Sequence, residues 1–122
     1  MEDSLVEKFV FICSPYRPVS FCPEELEAEL AENVHFAKIA CRMALDEGYV
    51  PMAPHLYFTQ FLNDSEEDER ETGIAMGLAW LEDCAEVWVF GDRITSGMAR
   101  EIACANDIGI PIKIKYIEEE TE

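Results

Sequence analysis

Gly97 and Glu101 stand four residues apart, directly after the run EVWVF and the turn GDRITS. On a helix that spacing puts a residue without a side chain one turn below a carboxylate. Helical side chains lean toward the N-terminus, so the Glu101 carboxylate reaches the space Gly97 leaves open. Ser96 is read as the N-cap, with the first backbone amides free to meet an anion. No cation lies at helical spacing from Glu101, since positions 97, 98, 104 and 105 are Gly, Met, Cys and Ala, so an intrahelical ion pair does not account for it. The bland alternative is a solvated glutamate at a sheet rim. Met98, Ile102 and Ala105 form the buried stripe of this helix, and Arg100 points away.

The elements that must hold these groups follow from the hydrophobic pattern. Lys8 to Cys13 is a continuous apolar run, as expected of a strand covered on both faces, and it ends at Ser14-Pro15-Tyr16-Arg17-Pro18. Arg17 there can clamp a phosphate or carboxylate, or pair with a surface glutamate. A long helix is expected from Pro23 to about Glu47, with Leu26, Leu30, Val34, Ala37, Cys41 and Ala44 at helical spacing and Gly48 ending it. His35 lies mid-helix without a second ligand one turn away and is read as a surface or structural residue.

Tyr49 to Ala53 is a short strand whose Pro51 marks it as an edge, and His55 follows at its C-terminal end. His55 is either a ligand contact or a hydrogen-bonded structural group. Leu56 to Leu62 is unusually aromatic for a connection and suits core packing, a lid or a subunit contact. Ser65 and Asp68 resemble a capping box for a helix over about Glu66 to Cys84, with Ile74, Leu78 and Leu81 inward and with Gly73 and Gly77 permitting a close approach. Glu86 to Phe90 is the central strand, and Ile110 to Ile117 the last.

This order predicts a three-layer α/β/α architecture, a Rossmann or flavodoxin-like parallel sheet of four to five strands in the order 2-1-3-4. One domain is expected over residues 1–122, with a core over 8–116 and an acidic tail at 118–122. The loops after the first three strands then lie side by side. Arg17, His55, Asp92, Arg93, Ser96 and Glu101 converge at one sheet edge, which suits a small anionic ligand such as a nucleotide or sugar phosphate.

Composition narrows the partners. The chain has 26 acidic and 9 basic residues, a net charge of −17, which repels nucleic acid backbones and anionic membranes. Five scattered cysteines, without a C-x-x-C pair, read as free thiols in a reducing cytoplasm. No signal peptide or membrane-length apolar run is recognised. Two distant histidines and unclustered cysteines offer no convincing metal site, and no cofactor is expected.

Taken together, FICSPYR, Asn33, GYVPMAPHL and LEDCAEVWVFGDRITSGMAREIACANDIGIPI resemble the nucleoside 2-deoxyribosyltransferase-like superfamily of small Rossmann-like domains, in a branch found in phage and bacterial genomes. The resemblance runs over roughly residues 8 to 116. It implies that Glu101, in the G-x-x-x-E pattern with Gly97, attacks the anomeric carbon of a nucleoside or nucleotide. The base is expelled, and the glycosyl ester passes to water or to another base. It further implies Asp92 or His55 as acid/base or base-positioning group. Ser14, Tyr16, Arg17, Arg93, Ser96, Gly97 and Met98 are then expected around substrate and phosphate, and a homo-oligomer whose neighbours complete each site is implied as well. The family's usual aspartate on the preceding helix is absent, the corresponding region reading Ala75-Met76-Gly77-Leu78. Three functions therefore compete: an N-glycosidase or deoxyribosyltransferase, a non-catalytic binder of a nucleotide derivative, and an acidic protein-interaction or DNA-mimicking factor.

Overall fold

A computed structural model describes residues 8–18 and 22–117. The acidic tail expected at 118–122 lies outside the described residues. Four parallel strands form one sheet: β1 (Phe9–Cys13), β2 (Val50–Met52), β3 (Glu86–Phe90) and β4 (Ile112–Lys115), in the order β2-β1-β3-β4. This is the 2-1-3-4 order that the pattern predicts. The central strands β1 and β3 pair from Val10 with Glu86 to Cys13 with Val89. β2 is the short edge strand expected from Pro51, which sits opposite Val10. β4 is the other edge and is shorter than the apolar run suggests, because Ile110 and Pro111 are spent leading into it.

Alternation along β1 divides the core in two, since successive side chains leave a strand on opposite faces. Val10 and Ile12 pack with Trp88 and Phe90 against Ala40 and Ala44 of α1 (Pro23–Asp46). Phe11 and Cys13 pack with Val87 and Val89 against Leu81 of α3 (Glu67–Leu81) and Met98 and Ala105 of α4 (Ser96–Ile108). Helices thus cover both faces. The small buried residues Ala37, Ala40 and Ala44 let α1 lie close on the sheet. Its N-terminal half runs past the strands, so Leu26, Leu30 and Val34 are only partly buried. His35 is exposed.

Between β2 and α3 the aromatic segment forms a short helix, α2 (Pro54–Tyr57), and a 3₁₀ turn (Phe58–Gln60). Tyr57 and Phe58 pack on Trp80 with ring centroids 5.4 and 5.0 Å apart, but Tyr57 is exposed and Phe58 and Trp80 are only partly buried, so this is an aromatic cluster outside the buried core. The expected capping box at Ser65 and Asp68 does not form. The Ser65 amide and hydroxyl both donate to Asn63 Oδ1, and α3 begins at Glu67 with no side-chain cap. Having given its hydroxyl to the preceding turn, Ser65 has none for the helix.

α4 starts one residue earlier than expected. Thr95, in extended conformation, is the N-cap, and its Oγ1 accepts the Met98 amide at 3.1 Å. Ser96 and Gly97 are therefore the first two helical residues. Gly109, at φ +81°, closes the helix in the left-handed region. Gly91, at φ +113°, makes the turn out of β3, and a side chain there would press on Pro15 at 3.2 Å. Only glycine suits both demands.

Candidate active site

The C-terminal ends of β1, β2 and β3 open into a cleft of roughly 480 Å³, large enough for a nucleoside monophosphate. β1 leads into it through Ser14, Tyr16 and Arg17. Ser14 is buried, and its Oγ hydrogen-bonds His55 Nε2 at 3.0 Å, joining the loop after β1 to the start of α2. Tyr16 meets the same imidazole edge-on, with ring centroids 5.8 Å apart, and its backbone carbonyl accepts from Asn33 Nδ2 of α1 at 3.0 Å. These contacts fix the loop that carries Arg17.

α4 contributes the opposite wall. The Met98 amide is taken by Thr95 Oγ1 and the Ala99 amide by Thr95 O. The Ser96 and Gly97 amides have no partner among the described residues, and both line the cleft. A Cβ at Gly97 would meet nothing closer than Thr95 Oγ1 at 4.0 Å, so the space in front of it is open. That leaves the opening of a 13-residue helix on the cleft wall with two unpaired amides, an arrangement able to take an anion.

Glu101 sits one turn further along, partly buried at the cleft floor. Burial raises its carboxyl to about 7, opposed by a hydrogen bond with the Cys13 thiol. Cys13, fully buried at the end of β1, is itself pushed well above the ordinary thiol range, by burial first and then by the Glu101 charge and hydrogen bond. Arg100, next in sequence, turns away and holds Glu71 through two 3.2 Å bonds. Burial lowers His55 to about 4, so its imidazole is neutral at neutral pH and acts through hydrogen bonds.

The cleft gathers every site residue expected from the sequence except Asp92. Asp92 is exposed on the turn after β3 and is not part of the lining, although Arg93, Ile94 and Thr95, which follow it, are. Arg93 reaches the rim but pairs with Glu29 of α1 at 3.1 Å. Met98 serves both ends of its reading, fully packed in the core and lining the floor. His55 likewise both lines the cleft and holds a hydrogen bond.

Several lining residues escaped sequence reasoning. Phe58 and Leu62 turn into the cleft from the aromatic segment, while Tyr57 and Phe61 are 51% and 60% exposed. Asp64 and Arg70 line it as well. Arg70, Gly73, Ile74 and Gly77 share one face of α3 by their spacing of three and four, the signal that could have found Arg70. Gly77 meets Pro54 and Gly73 meets Leu62, so the close approach these glycines permit is to the aromatic segment.

Among the described residues no group of three or more His, Cys, Asp or Glu is arranged to hold a metal ion. The five cysteines are free thiols. No helix among the described residues is long and apolar enough to cross a membrane.

Comparison with solved structures finds a 2-deoxyribosyltransferase from the psychrotolerant bacterium Bacillus psychrosaccharolyticus. Its TM-score is 0.61 at 16% identity, over 93% of this chain and 76% of that one. At that identity the likeness speaks for the fold. Comparison with curated proteins gives no match. The family model that does match spans residues 8–115 and is described as a domain of unknown function (DUF7768), and this chain belongs to that family.

Proposed function

We propose that the protein cleaves the N-glycosidic bond of a nucleoside or nucleotide, with Glu101 as nucleophile. The observation that carries this reading is the placement of Glu101. It is a carboxylate in a nucleotide-sized cleft, one turn from two open helix amides and, among the described residues, without a cationic partner. The fold shared with a 2-deoxyribosyltransferase supports it.

In this reading the Ser96 and Gly97 amides, with Arg17, hold the 5′ end of the substrate. The sugar then lies over Glu101. The carboxylate bonds to the anomeric carbon as the C–N bond breaks, and the base leaves, taking a proton from water in the open cleft. Water or a second base then attacks the glycosyl ester and frees the carboxylate. Ser14, Tyr16 and neutral His55 position the substrate through hydrogen bonds and ring contact. A pKa near 7 leaves a substantial ionised fraction at neutral pH while keeping the group weakly solvated, which suits a nucleophile.

A panel of nucleosides and nucleoside 5′-monophosphates, followed for free base by chromatography, tests the proposal. The parent protein releases base, and Glu101→Gln lowers the rate by about a thousandfold or more while retaining binding. No release by the parent at high protein concentration, with acceptor bases also supplied, would sink the enzymatic reading.

One observation favours a second reading, a non-catalytic binder of a nucleotide derivative. Asp92 lies outside the cleft and His55 is neutral, so neither is placed to hand a proton to the leaving base. Calorimetric binding without turnover separates this reading from the first.

A further inference from the structure

Two polar side chains that line the cleft, Asp64 and Arg70, are left unused by the proposed chemistry. On α3, Gly73 and Gly77 let Leu62 and Pro54 come within 3.4 and 3.2 Å of where a Cβ would stand, so these two side chains cover the helix on this side of the cleft. Phe58 and Ile74 add apolar surface beside them. A flat wall faced with aromatic and aliphatic groups accepts a planar ring.

At the end of this wall, seven residues from Gly77 and so about 10 Å along the helix, stands Arg70. Its side chain is only 20% exposed. Its contact with Glu71 is long, at 3.9 Å, and Glu71 is already engaged by Arg100 through two 3.2 Å bonds. Asp64, partly buried, lines the cleft beside it and lies within the fields of both Arg70 and Arg17. Among the described residues no hydrogen bond joins Asp64 to either arginine. A two-pronged acceptor and a two-pronged donor therefore sit together at one end of a slot, each with bonding capacity unspent.

We propose that Asp64 and Arg70 recognise the base and select a 6-oxopurine, guanine above all. The inference rests on the glycosidic reading, because with the 5′ end at α4 and the sugar over Glu101 the base extends toward α3. Guanine presents two donors, N1–H and the exocyclic amino group, to a carboxylate. Around the same rim its O6 and N7 accept both prongs of a guanidinium. Adenine turns its amino group toward the guanidinium and leaves donors unpaired in a half-closed site. Thymine and uracil give Asp64 one N–H, and cytosine gives it one amino group without the second ring that spans to Arg70.

Calorimetric titration with guanosine, adenosine, cytidine and uridine 5′-monophosphates tests the assignment without requiring turnover. Titrations compare the parent with Asp64→Asn, Arg70→Gln and Arg70→Lys, each checked for fold by circular dichroism. The parent binds the guanine nucleotide at least about tenfold tighter than the adenine nucleotide. Asp64→Asn and Arg70→Gln weaken guanine binding by about tenfold or more and change adenine binding by less than about threefold. Arg70→Lys, which keeps the charge and loses the fork, falls between them. Equal or tighter adenine binding, or guanine binding unchanged in both Asp64→Asn and Arg70→Gln, overturns the base assignment and leaves the glycosidic reading standing. Absence of binding by every nucleotide likewise overturns the base assignment, while the free-base assay alone decides the glycosidic reading.

Discussion

Glu101 and His55 occupy the same cleft and are displaced by the same cause, yet their effects on stability run in opposite directions. Glu101 is raised from 4.5 to about 7, so between those values the folded protein holds a proton that the unfolded chain has lost. Its contribution to stability falls as pH rises through that window, by about 3 kcal/mol in full. His55 is lowered from 6.5 to about 4, so the unfolded chain takes up the proton first, and stability is lost as pH falls through that range. Removing only the first effect isolates it. Glu101→Gln is expected to match the parent near pH 4 and to exceed it by about 3 kcal/mol above pH 7, as read by denaturant unfolding across that range. A variant that loses turnover while gaining stability at neutral pH separates a functional carboxylate from a structural one. Glu101 was legible in the sequence because its spacing from Gly97 needs only the helix period. Arg70 was not, because it sits in the run EEDERE, where local pattern reads every charge as solvated. Only the packing of α3 decides which of them turns inward.

At the scale of elements, helix existence was clear and helix ends were not. Thr95 and Ser96 both carry a hydroxyl suited to capping, and the one in extended conformation takes the role. The shift of one residue matters, since it moves Ser96 from the cap into the helix, where it and Gly97 both line the cleft. The sequence could not show that Asn63 would claim Ser65, since that contact depends on the turn closing first. Asp92, adjacent in sequence to the site, fails for a related reason: the direction of a turn cannot be read from residue type. Gly97→Ala tests the functional weight of the α4 opening. Its Cβ meets only Thr95 Oγ1 at 4.0 Å, so the substitution should preserve the fold and stabilise the helix by a few tenths to about 1 kcal/mol. In the proposed site the same methyl stands where the ligand approaches the amides. Thermal unfolding should show a Tm unchanged or higher while nucleotide binding weakens by about tenfold or more, and unweakened binding would place the anion elsewhere.

For the whole molecule the sheet order was readable because uninterrupted apolar runs, alternating with amphipathic helices, leave few arrangements that cover both faces. The charge has a separate consequence. With 26 acidic and 9 basic residues, self-repulsion outweighs exposed pairs such as Arg42–Asp46 and Lys113–Glu86. Raising sodium chloride from about 10 to about 200 mM shortens the screening length from roughly 30 Å to under 10 Å. Stability is expected to rise by about 1 kcal/mol, a few degrees in Tm by calorimetry, and a fall would show that the pairs dominate.

Gly91 and Pro15 press the turn after β3 against the loop after β1, so those two sides of the cleft travel as one body. The remaining side, residues 54–64, sets Pro54 and Leu62 against Gly77 and Gly73 and is tied to the loop after β1 by the 3.0 Å hydrogen bond between His55 and Ser14. All three sides are thus joined to one another, so the cleft has its shape before anything enters it.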